Sequence, residues 1–169
     1  MADIFVSYKK TDKQLVDGFV RDLQDEGFTV WWDYEIETGE AWLERLVREI
    51  DVARCVVGVW TRNAIDERGL FRASADRGTN YLQMEHQRGA AKLAPAMFDT
   101  DALPIQFPGL QAADLRGYVP GRIEHDGFRK LITQIERLAM PQWAASRIAS
   151  LEAQLTQQRA ARQAARHAT

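Results

Sequence analysis

Two adjacent tryptophans and an acidic run stand together in FTVWWDYEIETGEAWLERL, residues 28–46. Side chains of these types can pack in a core, line a ligand pocket or bind a partner protein. Because successive side chains of a strand point to opposite faces, Trp31 and Trp32 cannot both line one pocket. Trp32, nearer the end of the strand, is therefore the better candidate for contact with a ligand. The carboxylates at 33–40 have no histidine nearby, which argues against a metal site.

The other reactive side chains give little support for metal, thiol or hydride chemistry. Cys55 lies in an apolar run and is expected to be a small buried hydrophobe rather than a nucleophile. As the one cysteine of the chain, it excludes an intrachain disulfide. His125 and His167 have no second histidine or cysteine at ligand spacing, so no metal site is predicted. The sequence contains no G-x-G-x-x-G motif and no Walker loop, which argues against a Rossmann hydride-transfer enzyme.

The elements that must position these residues follow from the spacing of the apolar side chains. Continuous apolar runs at 3–8, 28–33 and 54–60 are typical of buried strands. Apolar residues recur at helical spacing over 15–23 and 42–50, between those strands. The resulting β-α-β-α-β order, with short connections, predicts a parallel sheet covered by helices on both sides.

The alternation is less regular in the second half of the chain. We predict a long polar loop at 61–80 and a fourth strand at 93–98, followed by a proline-rich loop. A short edge strand is predicted at 116–120. Amphipathic helices are predicted at 81–92 and 125–138.

Two parts of unequal size are expected, a domain at 1–139 and an Ala/Gln/Arg-rich helical extension or linker at 140–169. No apolar residue larger than alanine follows Leu155, so the apolar stripe of the extension is shorter than the roughly three heptads of a coiled coil. We expect a solvated helix that frays at its end.

Composition argues against several classes of function. The net charge of -2 provides no basic excess for binding nucleic-acid phosphates. No apolar run approaches the ~20 residues that cross a bilayer. The N-terminus lacks the basic and apolar regions of a signal peptide. We therefore expect a cytoplasmic protein with no nucleic-acid partner and no membrane span.

Six segments form an ordered set that spans roughly residues 2–138. They are DIFVSY at 3–8, GFTVWWD at 27–33, YEIETGEAW at 34–42, VARCVVGVWTRNAI at 52–65, KLAPAMFD at 92–99 and LPIQFPGLQAADLRGY at 103–118. Together they resemble a TIR domain (Toll/interleukin-1 receptor type) of the bacterial kind. The resemblance implies a flavodoxin-like, three-layer α/β/α fold with a five-stranded parallel sheet, the class that the apolar spacing also predicts.

Two functions are implied by this resemblance. The first is an NAD+ glycohydrolase that releases nicotinamide and ADP-ribose or its cyclic form, with NAD+ as substrate and no cofactor. The second is a non-catalytic module that binds other TIR domains by homotypic assembly into a dimer or filament. Self-assembly is expected to activate the enzyme. Bacterial immunity against phage and imitation of host TIR domains by a virulence factor are the two roles left open.

The catalytic carboxylate that the resemblance implies is Glu85, within YLQMEHQRG. Tyr81 takes the place of the family's tryptophan, one helical turn earlier on the same face. Two departures stand against the assignment: tyrosine replaces tryptophan, and the loop before Tyr81 is longer than usual. Glu67 is the alternative if the helix begins earlier. His86 is expected to point about 100° away from Glu85 around the helix and is given no catalytic role.

The remaining site residues follow by position in the family pattern. Phe5 is placed near nicotinamide, with core packing as the alternative. Lys9 or Lys10 is placed near a phosphate, as a point charge. The other substrate-binding candidates at the strand ends are Ser7, Tyr8, Trp32 and Asp33. The mobile BB loop beside the pocket, a gate that also serves assembly, comprises Tyr34, Glu35, Ile36, Glu37, Thr38, Gly39 and Glu40.

Overall fold

The fold is described from a computed structural model, which covers residues 2–32, 40–73 and 80–140, together with residues 144, 148 and 152–157. The strands are β1 Ile4–Ser7, β2 Val30–Trp31, β3 Cys55–Trp60, β4 Leu93–Met97 and β5 Ala113–Asp114. The α-helices are α1 Lys13–Asp25, α2 Glu40–Val52, α3 Tyr81–Arg88 and α4 Asp126–Leu138.

All five strands pair in parallel, in the order β2-β1-β3-β4-β5. The chain leaves β1 toward one edge of the sheet to form β2, and then returns past β1 to build the other side. The point where the strand order reverses therefore lies between β1 and β3. Ligand sites in open α/β sheets lie beyond the carboxyl ends of the strands at such a point. The predicted flavodoxin-like α/β fold is confirmed.

Alternation along the strands divides the apolar side chains between the two faces of the sheet. Ile4 and Val6 pack with residues of α1 and α4 on one face. Phe5 and Val56 pack on the other face against Leu46 of α2 and its neighbours. A third cluster surrounds Trp60 at the carboxyl end of β3. Because β1 is fully buried on both faces, each of its side chains has a defined environment.

The edge strand predicted at 116–120 is wrong, because β5 is Ala113–Asp114 and the chain turns immediately afterwards. The Leu115 N–H donates to the Met97 carbonyl at 2.7 Å, and the Tyr118 N–H then donates back to the Leu115 carbonyl at 3.0 Å. Gly117 supplies a positive φ of 78° for this turn.

Two further elements, β2 and α3, are shorter than the sequence predicts. β2 has two residues, Val30–Trp31, instead of the predicted six. α3 ends at Arg88, and a 3-10 turn at Ala90–Lys92 precedes β4. A Cβ on Gly89 would lie 2.6 Å from Val56 Cγ2, so this glycine lets the end of α3 approach β3.

Of the residues after 140, the structure describes 144, 148 and 152–157. Residues 152–157 are helical and exposed, and the division at 139/140 stays a prediction. Among the described residues, no helix combines the length and the apolar character that a membrane span requires.

Candidate functional site

A buried serine and a buried glutamate meet at the carboxyl end of β1. Ser7 is the last residue of β1, and Glu85 lies on the second turn of α3. The Ser7 hydroxyl donates a hydrogen bond to Glu85 Oε2. The exposed fractions of the two side chains are 0% and 1%. The contact joins residues 78 positions apart in sequence at the edge of the sheet where ligands bind in this fold class.

His86 completes a hydrogen-bonded group with these two residues. Its Nδ1 lies 2.7 Å from the Leu82 carbonyl oxygen and 3.3 Å from Ser7 Oγ. Its Nε2 lies 3.1 Å from Trp60 Nε1, which can only donate. The carbonyl can only accept, so Nδ1 carries the proton and Nε2 accepts one. His86 is therefore a neutral imidazole of defined tautomer. Burial lowers its pKa to about 4, despite the opposing hydrogen bond to Leu82.

The three residue types match those of a serine hydrolase, but their hydrogen bonds do not. In a nucleophilic triad the histidine accepts the serine proton and the carboxylate holds the histidine. Here Ser7 donates to Glu85, and the His86 nitrogen that faces Ser7 already carries a proton. The acceptor nitrogen of His86 faces Trp60 instead. The arrangement does not activate Ser7 as a nucleophile.

A glycine on β3 makes room for His86. Gly58 pairs with Ser7 across the sheet. A Cβ at position 58 would overlap His86 Nε2. The expected direction of His86, away from Glu85, does not prevent both side chains from reaching Ser7. The sequence pattern indicates no role for this histidine, and the glycine within VVGVW is the signal that a bulky group lies over the strand.

The aromatic residues of the first two strands separate into two pairs. Phe5 pairs in register with Trp31, and their rings are stacked with centroids 5.0 Å apart. Trp32 packs instead with Tyr8 on the opposite face of the sheet, where their ring centroids lie 6.2 Å apart. The predicted separation of the tandem tryptophans is present. Parity along the two strands places Trp31, rather than Trp32, on the face that carries Phe5 and Ser7.

Tyr81 and Trp42 form an edge-to-face aromatic pair between α3 and α2. Their ring centroids lie 5.1 Å apart, with the planes at 83°. Both residues are partly exposed. Tyr81 stands one helical turn before Glu85, so this pair lies beside the face of α3 that carries the carboxylate.

The two lysines after β1 differ in their surroundings. The Lys9 ammonium donates to the backbone carbonyls of Arg72 at 2.7 Å and Ala73 at 3.0 Å. Lys10 is exposed at the start of a 3-10 turn, Lys10–Asp12. In this structure Lys9 therefore holds the long loop that follows β3, and Lys10 projects into solvent.

A second polar contact joins the loops after β1 and β3, and sequence reasoning missed it. Asp12 is buried and accepts hydrogen bonds from Thr61 Oγ1 and Asn63 Nδ2, both at 2.6 Å. No motif identified Asp12, because its partners are about 50 residues away. The contact fixes the ends of β1 and β3 relative to each other beside the Ser7–Glu85 pair.

Other candidates stand apart from this group. Glu67, the alternative carboxylate, is exposed in a turn closed by Gly69, which has a positive φ of 77°. Among the described residues, no three His, Cys, Asp or Glu side chains cluster as metal ligands. Cys55 is fully buried, and burial raises the pKa of its thiol to about 12. Asp33, the BB-loop residues 34–39 and the Glu40 side chain lie outside the described residues.

Comparison with known proteins agrees with this fold. The TIR domain family profile matches residues 4–132. A similar solved structure is that of the TIR domains of the activated Roq1 resistosome directly recognizing the pathogen effector XopQ. The TM-score is 0.52 and the identity 16%, over 81% of this chain and 98% of that chain. That identity supports a shared fold only. No curated protein matches the chain. Since the profile covers more than half of the sequence, the protein belongs to the TIR domain family.

Proposed function

We propose that this TIR domain cleaves the nicotinamide–ribose bond of NAD+, with Glu85 as the catalytic carboxylate. The observation that carries the proposal is the position of Glu85: a buried carboxylate, hydrogen-bonded to Ser7, at the point where the strand order reverses. A buried ionisable group at such a position is a candidate functional group.

The reaction assigns simple roles to these groups. The C1′–N bond breaks, its electron pair leaves with nicotinamide, and C1′ acquires oxocarbenium character. The Glu85 carboxylate stabilises that positive charge and orients the ribose hydroxyls. Water then adds to C1′ and loses a proton, which gives ADP-ribose. Attack by an adenine nitrogen of the same molecule in place of water gives the cyclic product.

The aromatic pairs beside Glu85 supply flat surfaces for the rings of NAD+. Trp31 is partly exposed and stacks on the buried Phe5 ring. Trp42 and Tyr81 are partly exposed on the two helices that cover this face. Base–aromatic stacking contributes about 1–3 kcal/mol per ring. The exposed Lys10 is the better candidate for a phosphate contact, because the Lys9 ammonium is engaged by two carbonyls.

Access to Glu85 requires a rearrangement, because the residue is only 1% exposed. We propose that homotypic assembly of TIR domains stabilises an open form, so that an isolated copy has low activity. The similar TIR domains come from an assembly described as an activated resistosome, which supports a role for association. Immune signalling against phage in the cytoplasm is the role that we propose, with imitation of host TIR domains as the alternative.

The same enclosure favours a second candidate, a non-catalytic TIR–TIR interaction module. A permanently covered Glu85 would be a structural group. Leu103 and Ile105, in the loop after β4, are 51% and 61% exposed and offer an apolar contact for a second copy. This candidate predicts self-association without nicotinamide release.

Nicotinamide release from NAD+ distinguishes the two candidates. We expect wild-type protein at high concentration with a crowding agent to release nicotinamide, and Glu85→Gln protein to release at least ~100-fold less. Glu67→Gln is the matched control, because Glu67 is an exposed carboxylate in a surface turn. Equal release by the wild-type and Glu85→Gln proteins would refute the catalytic assignment. Self-association of the wild type without any release would favour the interaction module.

A further inference from the structure

We propose that His86 is a positioning residue for Glu85, acting through a one-way hydrogen-bond chain from Trp60 through His86 and Ser7. The chain fixes the Ser7 hydroxyl so that its proton points to the Glu85 carboxylate. The geometric part of this inference is independent of any reaction, and its consequence for activity depends on the function proposed above.

The direction of the chain follows from donor and acceptor chemistry. The indole N–H of Trp60 can only donate, so His86 Nε2, 3.1 Å away, must accept. A neutral imidazole then carries its proton on Nδ1. That N–H faces two acceptors, the Leu82 carbonyl at 2.7 Å and Ser7 Oγ at 3.3 Å. We assign it a bifurcated bond, with the shorter arm on the carbonyl.

The state of His86 determines which way the Ser7 proton points. Because the Nδ1–H is directed toward Ser7 Oγ, the Ser7 hydroxyl cannot donate to that nitrogen. The Ser7 proton therefore lies on the bond to Glu85 Oε2. The opposite tautomer, with the proton on Nε2, would place two N–H groups against each other at Trp60 and leave Nδ1 facing the Leu82 carbonyl without a proton. Each of these changes is costly in a buried site.

Packing around the imidazole holds its ring in one orientation. The Phe71 ring lies 5.0 Å from it and the Phe107 ring 6.1 Å, centroid to centroid. Gly58 of β3 lies against Nε2, and the ring is fully buried. Within the described residues, this hydrogen-bond network connects the imidazole to one titratable group, Glu85, through Ser7. A ring held in this way can orient a hydroxyl at little entropic cost when the substrate binds.

Two substitutions at His86 test the roles of its two ring nitrogens separately. The amide of asparagine reaches the region of Nδ1 and can donate to Ser7 and to the Leu82 carbonyl. The longer glutamine reaches the region of Nε2 and the Trp60 indole. We expect kcat for nicotinamide release to fall about 10- to 100-fold in Ser7→Ala and His86→Gln, with KM changed less than about twofold. His86→Asn should stay within about threefold of the wild type, because it retains the donor that orients Ser7.

An NMR measurement tests the direction of the hydrogen-bond chain without an activity assay. The ring ¹⁵N signals of His86 should show a protonated Nδ1 and an acceptor Nε2 in wild-type protein from pH 8 to pH 6. His125→Gln serves as the assignment control and should leave those signals unchanged. A protonated Nε2, or a charged imidazolium in this range, overturns the proposal. The same holds if His86→Gln protein is folded and keeps the kcat of the wild type. If the wild type releases no nicotinamide, the proposed function fails, and the ring ¹⁵N signals still test the direction of the hydrogen bonds through His86.

Discussion

Glu85 and His86 are neighbours in sequence to which we assign different chemical tasks. Helical spacing after Tyr81 and the resemblance to TIR domains indicate Glu85 from the sequence, and its catalytic role stays a prediction. The environment of His86 was not predictable in this way, because its partners Ser7 and Trp60 belong to β1 and β3. A buried imidazole is defined by residues that meet it only in the folded chain.

The neutral state of His86 makes stability depend on pH. Its pKa is about 4 in the folded protein against an ordinary 6.5, because burial disfavours the charged ring. Between these values the unfolded chain binds more protons than the folded one. The free energy of unfolding should therefore fall as the pH drops from 6.5 toward 4, by about 3 kcal/mol from this group. Above pH 6.5 the contribution is constant.

Urea unfolding of wild-type and His86→Gln proteins between pH 4 and pH 7.5 measures this contribution. Subtracting the two curves removes the shared titration of carboxylates. The difference in the free energy of unfolding should decrease by about 3 kcal/mol as the pH falls across the window, because only the wild type contains the titrating His86. Parallel curves would show that His86 is not the titrating group.

At the scale of the elements, two glycines set how closely α3 approaches β3. Gly58→Ala would displace the His86 ring, and Gly89→Ala would press on the Val56 methyl groups. Both substitutions should lower the free energy of unfolding by about 1–3 kcal/mol, because each adds a methyl group to a contact that is already packed. Only Gly58→Ala should shift the Trp60 indole N–H signal in NMR spectra. A shift of the Trp60 indole N–H signal in both variants would contradict a specific contact between Gly58 and the His86 ring.

A buried Asp22–Tyr118 contact joins α1 to the connection between β5 and α4. The Tyr118 hydroxyl and the Gly121 N–H both donate to Asp22 Oδ2. Burial, together with this hydrogen bond, raises the pKa of Tyr118 well above its usual range. Tyr118→Phe should lower the free energy of unfolding by about 1–3 kcal/mol, because Asp22 loses one buried partner.

A double-mutant cycle with Asp22→Asn tests that contact by chemical denaturation. We expect a coupling energy of at least about 1 kcal/mol between the two positions. Additive effects would indicate that the hydroxyl and the carboxylate contribute separately.

The limits of sequence prediction are visible in particular elements. β1, β3 and β4 were located from continuous apolar runs, since each is largely buried on both faces. β5 was placed at 116–120 in error, because a two-residue edge strand leaves no periodicity to detect. The choice of Trp32 over Trp31 rested on distance to the strand end. The cross-strand register with Phe5, which favours Trp31, exists only in the sheet.

At the scale of the whole molecule, the fold brings four residues of the proposed site together at the carboxyl ends of β1 and β3. β1 contributes Ser7, β3 contributes Trp60, and α3 brings Glu85 and His86 over both. The carboxylate is enclosed in the single chain. The enclosure agrees with our proposal that association or another trigger opens the site.

Nicotinamide release per mole of protein, measured across a range of protein concentrations, tests this account most directly. We predict that specific activity of the wild type rises with concentration, as assembly opens the site. Glu85→Gln protein, at matched association, should remain at the background rate at every concentration. Release by Glu85→Gln equal to that of the wild type, or no release by an assembled wild type, would contradict the account.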